Sequence, residues 1–294
     1  MKVNKLAWRN LWRRKRRTLI TAFSSAFGVL LAVTFTGTGD YAYTNMIDAS
    51  ANMGLGHVTV QPRGYNETPS LDKRLQYADE IHARLPQLPG VSNAYVRILG
   101  QAMFASAAKN VGGVFLGIDP AAETATHNLL LRSLVEGELF PAGPGHGAVV
   151  GSKLAEKLNL SLGRKLVYTT SDANGDIVSE IARVSGIFRT GADEADGSMV
   201  LLPIDAVRNT LNYAPHEASL VAVIVDDQRR AAALTQAIAA RVGNPQREVL
   251  SWQRTQPEIA GVVAMDRSGN YISQLLVGLL VAAGILNTLL MSVL

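Results

Sequence analysis

LAWRNLWRRKRRTLITAFSSAFGVLLAVTFTGTG, residues Leu6 to Gly39, falls into two halves of opposite character. The first half carries Arg9, Arg13, Arg14, Lys15, Arg16 and Arg17 with no acid among them; the second, Thr18 to Gly39, has no charged side chain. At about 1.5 Å per helical residue, those 22 residues reach roughly 33 Å, enough to cross a hydrocarbon core of about 30 Å. Dense Lys and Arg stay on the cytoplasmic side, so the pattern predicts an inside N-terminus, one crossing, and a body on the other face. A secretory signal peptide shares the basic-then-apolar order. Here the apolar run is long for such a peptide, and no clear small-x-small cleavage site ends it. The Arg13–Arg14 pair sits within a longer basic block, so it carries little weight as a twin-arginine signal. The far end favours a retained anchor: Ile272 to Leu294, ISQLLVGLLVAAGILNTLLMSVL, is a second charge-free run of spanning length.

The 294 residues are 48% hydrophobic and contain no cysteine, which excludes cysteine chemistry and disulfides. Between the spans there is enough chain for one large or two small folded units. Lys2, Lys5 and the six basic residues above place eight positive charges ahead of the first span; subtracting them from the formal net charge of +4 leaves the remainder at −4. That asymmetry speaks for membrane orientation and against nucleic-acid binding, which would want its basic face on a folded domain.

Residues 1–17 read as a cytoplasmic amphipathic basic helix on the inner membrane face. Trp8 and Trp12 anchor it at the interface, and Arg9, Arg13, Arg14, Arg16 and Arg17 reach lipid phosphates. A plain block of positive charge with no further role is the competing reading. The first transmembrane helix is expected at 18–39 and the second, incomplete, at 272–294. Small residues in both, notably Ser25, Gly28 and Ala32 in the first and Gly278 and Ala282 in the second, permit close helix approach, and Asn287 offers a hydrogen bond within the bilayer.

In the middle, Val58 and Val60 alternate with polar neighbours as a strand, and Leu71, Leu75, Ala78, Ile81 and Leu85 recur at helical spacing until Pro86. Val91–Leu99 reads as strand again. Near the far end the order repeats: strand Ser219–Val225, a helix capped by Asp227, and strand Arg247–Leu250. The fold class expected is therefore a membrane protein of α+β type. Transmembrane helices bracket a large extracytoplasmic domain whose β–α–β units, at 40–110 and 214–251, make a split, porter-like ferredoxin-like body. Residues 111–213 form an inserted α/β subdomain with a hairpin at Asn174–Gly175. Residues 252–271 read as a stalk helix, softly interrupted near Ser268–Gly269.

No catalytic constellation emerges. Asp172, Asn174 and Asp176 copy the first positions of a calcium loop, but Gly sits at 175 and the twelfth position is Arg183, so a hairpin turn is favoured. Gly145–Lys153 lacks the Gly-Lys-Ser/Thr order of a phosphate loop. His57, His82, His127, His146 and His216 never pair at metal-ligand spacing, there is no G-x-S-x-G elbow, and neither span holds an ionisable residue. Catalytic, cofactor and metal residues are expected to be absent from this chain.

Four stretches, LAWRNLWRRKRRT, AVVGSKLAEKLNLSLGRKLVYTT, VSGIFRTGADEADGSMVLLPIDAVRNTL and ILNTLLMSVL, together resemble the permease subunits of the MacB and FtsX-like ABC transporter superfamily. VSGIFRTG with ADGSMVLLP and VLSWQRTQPEI leans toward the lipoprotein-releasing LolC and LolE permeases. The resemblance implies four spans, with the outer domain between the first two. It also implies a cytoplasmic ABC ATPase that binds ATP and magnesium, and a second permease copy or homologue. The remaining implied partners are membrane lipids and a periplasmic cargo such as a lipoprotein or an accessory protein. By the same resemblance, the chain would be the first part of an inner-membrane permease that couples ATP hydrolysis to periplasmic conformational change in lipoprotein release, export or efflux. An FtsX-type scaffold or sensor that activates a periplasmic partner is the alternative, and a secreted enzyme comes third.

Overall fold

The computed structural model describes residues 15–107, 109–140 and 147–293. It divides into two compact units, residues 1–45 with 258–294 and residues 46–257.

Among the described residues, the first unit consists of two long helices. α1, Lys15–Ser50, contributes to both units, as its last turns belong to the second. The segments Thr18–Leu55 and Pro257–Leu286 are long and apolar enough to cross a membrane. Phe23, Val33, Phe35 and Leu280 are 74, 66, 67 and 74% exposed, a density of bare apolar surface that water would penalise and lipid would not.

The second unit is built on one ten-stranded sheet system. Its outer part has the strand order β10-β1-β9-β2, all antiparallel, from β1 (Val58–Pro62), β2 (Val91–Ala105), β9 (Leu220–Val225) and β10 (Arg247–Ser251). Helix α2 (Ala78–Arg84) connects β1 to β2, and α7 (Ala231–Val242) connects β9 to β10. Two interleaved β–α–β units with the fourth strand beside the first give the split ferredoxin-like arrangement. β1 and β9 are buried at every position, as befits strands covered on both faces.

Between β2 and β9 the chain adds β3 (Asn110–Ile118), β4 (Leu134–Gly137), β5 (Gly147–Gly151), β6 (Lys165–Ser171), β7 (Ile177–Phe188) and β8 (Met199–Pro203). Helices α3 (Leu129–Arg132), α4 (Ser152–Leu158), α5 (Asp193–Ser198) and α6 (Ile204–Leu211) connect them. Pairing runs from β2 through β3, β8, β5, β7 and β6 back to β2, so six strands close into a barrel. Closure removes the exposed edges that an open insertion would carry. Leu116, Ile118, Leu130, Val149, Phe188 and Leu201 fill a core there.

Several expectations need correcting. The boundary at 110 is not a structural border, because β2 serves both parts: Val91 to Arg97 pair with β9, and Ile98 to Ala105 pair with β3. β2 runs past Leu99 because Gly100 sits under Phe115, where a Cβ would come within 2.4 Å of the ring. Leu71 and Leu75 lie outside α2; Leu75 instead exchanges backbone hydrogen bonds with Ala218, and Tyr77 takes a left-handed conformation at φ 57°. Residues 252–271 are not one stalk. A short helix α8 (Trp252–Thr255) ends at Gln256, and α9 (Pro257–Val293) then runs unbroken through Ser268, whose hydroxyl donates to Ala264 O at 2.9 Å.

Candidate functional site

Where α1 ends, the chain enters the second unit through a π-helical turn, Ala51–Leu55. Ile47 and Ala51 are buried there. Gly56, at φ 76°, follows the turn and donates its N–H to Ala51 O at 3.0 Å. It lies so close to β9 that a Cβ would meet Val223 N at 2.7 Å. His57 is next, 2% exposed. Its Nδ1 accepts from Val225 N–H at 3.3 Å, which leaves Nε2 to donate to Asp48 Oδ1 at 2.9 Å. Burial pushes the imidazole below its ordinary pKa of 6.5, and the Asp48 hydrogen bond and charge offset that only in part. Among the described residues, His57 thus links the last turns of α1 to β9.

A second polar cluster grips the same turn. Arg97, on β2, sends Nε to Glu123 Oε1 at 2.8 Å, Nη2 to Glu123 Oε2 at 2.6 Å and Nη1 to Gly54 O at 2.5 Å. Asn128 donates to Glu123 Oε2 at 2.6 Å, while its own Oδ1 caps α3 through the N–H groups of Leu130 and Leu131. The Arg97 guanidinium also lies 5.3 Å from the Tyr95 ring centroid. Three distant pieces of chain, the π-turn, β2 and the loop after β3, are therefore tied by charge-assisted bonds shielded from water.

The return of the chain adjoins this turn. Trp252 N–H donates to His57 O at 2.9 Å, and the Ser50 hydroxyl donates to Gln256 Oε1. Asn52 Oδ1, Trp252 Nε1 and Thr255 Oγ1 are buried atoms without a hydrogen-bond partner among the described residues.

Within the first unit, Thr36 Oγ1 accepts from Gln274 Nε2 at 2.7 Å, and Tyr43 hydroxyl donates to Asp266. Ser25, Gly28 and Ala32 fall on the partly covered stripe of α1 that also holds Thr36. A Cβ on Gly28 would lie 3.0 Å from Val281 Cγ2. Gly278 and Ala282 are exposed; the α9 positions turned to α1 are Gln274, Val277 and Val281. Arg16 is exposed. Trp8, Arg9, Trp12, Arg13 and Arg14, with the expected basic helix, lie outside the described residues, as do the side chains of Arg17 and Asn287.

Among the described residues, no group of three or more His, Asp or Glu is arranged to hold a metal ion. At the hairpin, Asp172 Oδ1 accepts from the N–H groups of Asn174 and Asp176 at 2.8 and 2.9 Å, spending its carboxylate on the turn. Sequence reasoning missed the Arg97–Glu123 cluster. The one signal was an arginine set between Val96 and Ile98 in an otherwise apolar strand.

A protein-family model described as MacB-like periplasmic core domain matches residues 18–241. No curated protein matches the chain in sequence. Similar solved structures include the periplasmic region of MacB from Actinobacillus actinomycetemcomitans, 14% identical with a TM-score of 0.45, over 71% of this chain and 94% of that one. Another is the extracellular domain of the noncanonic ABC-type transporter YknZ from Gram-positive bacteria, 15% identical with a TM-score of 0.42, over 66% of this chain and 98% of that one.

Proposed function

The chain belongs to the MacB-like periplasmic core domain family, and from that premise we propose that it is the permease subunit of an ABC transporter complex, transmitting force rather than catalysing. ATP and magnesium act on a separate cytoplasmic ATPase. Nucleotide-driven movement of the apolar helices reaches the folded unit through the turn at 51–57, and the periplasmic body answers by releasing or expelling a lipoprotein or another amphiphilic cargo.

The observation that carries this reading is a pair of polar links at that turn, one half-buried through Asp48 and one fully buried through Arg97. Asp48–His57–Val225 and Gly54–Arg97–Glu123 couple the helix end to β9 and to β2. β2 in turn belongs to both the ferredoxin-like part and the barrel, so displacement of the turn is passed to both. The buried Arg97–Glu123 bonds resist shear better than apolar contact alone, since a shifted charge is left unpaired. The basic head supports a cytoplasmic N-terminus in the inner membrane. The exposed Gly278 and Ala282 leave a surface for a second permease copy or homologue.

The test is co-purification of the membrane-embedded protein with candidate ABC ATPases, followed by ATP-driven cargo release from the reconstituted complex. ATP-dependent release of a lipoprotein supports the proposal. Activation of a wall hydrolase without release would assign the FtsX-type scaffold role instead, and failure to associate with any ATPase in mild detergent would remove both.

A further inference from the structure

Away from the helix entry, residues in and beside α2, α7 and β10 line an open surface cavity of about 160 Å3, among them Tyr77, Glu80, Arg84, Arg241, Asn244 and Arg247. Three arginines line it, against one carboxylate-bearing residue. Arg247 is held by donating Nη2 to Gln76 O at 3.0 Å, and Arg241 by donating Nη2 to Gln87 Oε1 at 3.2 Å. Both partners are neutral, so they orient the cations without neutralising them. Glu80 reaches only Arg84, at 3.7 Å, with both side chains more than half exposed. The lining therefore carries a formal charge of +2.

Arg84 and Arg241 stand in the last turns of their helices, where a cation complements the helix dipole. That accounts for two of the three arginines. Arg247 lies on a strand, and the dipole does not explain it. Tyr77 supplies an independent sign. It is a bulky residue at φ 57°, its ring stacked on His216 at 5.3 Å between centroids. A bulky aromatic in the left-handed region is strained, and such strain persists where the surroundings demand that placement, commonly at ligand sites. Tyr77 is among the residues that line the arginine cavity.

We propose that this cavity binds a phosphate monoester. Arginine forks match the oxygens of a phosphoryl group bidentately, a dianion balances the +2 lining, and the volume suits a phosphoryl group with a few attached atoms. The ligand is a soluble organic phosphate or the headgroup of a phosphatidate-type lipid; both present the same chemistry. The site stands whether or not the chain works as a permease, since nothing in it depends on the helix entry.

Calorimetric titration of the full chain in detergent with glycerol 3-phosphate, and with water-soluble short-chain phosphatidic acid or phosphatidylcholine, tests the proposal. Saturable glycerol 3-phosphate binding is expected, unaffected by equimolar acetate and weakened about tenfold or more by Arg247→Gln. Arg241→Lys keeps the charge at the helix end and the thermal stability, yet it too weakens binding, because the fork is lost. Tyr77→Gly relieves the left-handed strain and raises the melting temperature while lowering affinity; a merely structural tyrosine would not produce that opposition. Tighter binding of short-chain phosphatidic acid than of glycerol 3-phosphate identifies the lipid source, and equal or weaker binding the soluble one. Absence of saturable binding to either phosphate, competition by acetate, equal binding of short-chain phosphatidylcholine, or affinity untouched by the well-folded Arg241→Lys protein overturns the site.

Discussion

Arg97 and Glu123 meet side by side in the interior, Nε to Oε1 at 2.8 Å and Nη2 to Oε2 at 2.6 Å, with at most 1% of either side chain exposed. Removing one partner strands the other. Arg97→Met leaves the Glu123 carboxylate and Gly54 O without their cation, at an expected cost of about 3–5 kcal/mol. The pair Arg97→Met with Glu123→Leu removes both charges and costs clearly less. Chemical denaturation of the full chain in detergent, followed by circular dichroism, checks the order. A double variant no better than the single one would mean the pair is not an isolated charge couple.

His57 makes stability depend on pH. Burial holds its folded pKa below the unfolded value of about 6.5, so as pH falls the unfolded chain takes up the proton first. The neutral ring's contribution is intact above pH 6.5 and is lost as pH drops from there toward the folded pKa, at up to about 1.4 kcal/mol per pH unit. His57→Gln should flatten that slope. Denaturation midpoints between pH 7.5 and 5 decide it, and an unchanged slope in the variant would assign the effect to other groups.

Gly56 and Gly175 separate strain from crowding. Both have positive φ, 76° and 90°, but a Cβ at Gly56 meets the Val223 backbone at 2.7 Å, whereas one at Gly175 meets nothing within 4 Å. Gly175→Ala should cost about 1 kcal/mol, the left-handed penalty alone. Gly56→Ala should cost about 2–3 kcal/mol and loosen the hold on the π-turn. Melting temperatures rank the two, with hydrogen exchange at Val223 and Val225 reporting the local opening.

How much of this was open to a reader of the residues depended on range. Thr18–Gly39 and Ile272–Leu294 announce themselves through unbroken apolar character, and the far-end strand–helix–strand through local periodicity. The Leu71–Leu85 spacing misled, because Leu75 satisfies its backbone on Ala218, more than a hundred residues away. Barrel closure rests on β6 pairing with β2, Val167 opposite Ala105, a partnership that no local pattern encodes. The buried cluster was hidden for the same reason. Glu123 sits in a polar loop that looks solvated until the fold brings Arg97 against it. Ser268 and Gly269 looked like a break, yet the serine hydroxyl bonds within the helix and the glycine is simply accommodated.

The helix pair offers a final check inside the lipid-facing unit. Gln274 donates to Thr36 at 2.7 Å, and Val281 lies against Gly28, so polar and small-residue contacts follow one another along the same seam. In a bilayer, apolar surface gives helices little reason to associate, which leaves close packing and interhelical hydrogen bonds to hold them. Gln274→Leu removes the bond and is expected to weaken the pair by about 0.6 kcal/mol. Gly28→Leu forces a large side chain into the space of Val281 and should separate the helices outright. The chain has no cysteine, so Gly28→Cys with Val281→Cys can report proximity without background. In native membranes this pair should form a disulfide readily. The yield should fall modestly when Gln274→Leu is added and collapse when Ala32→Phe is introduced on the same stripe. A cysteine pair that stays reduced under oxidant while the protein remains folded would refute the seam.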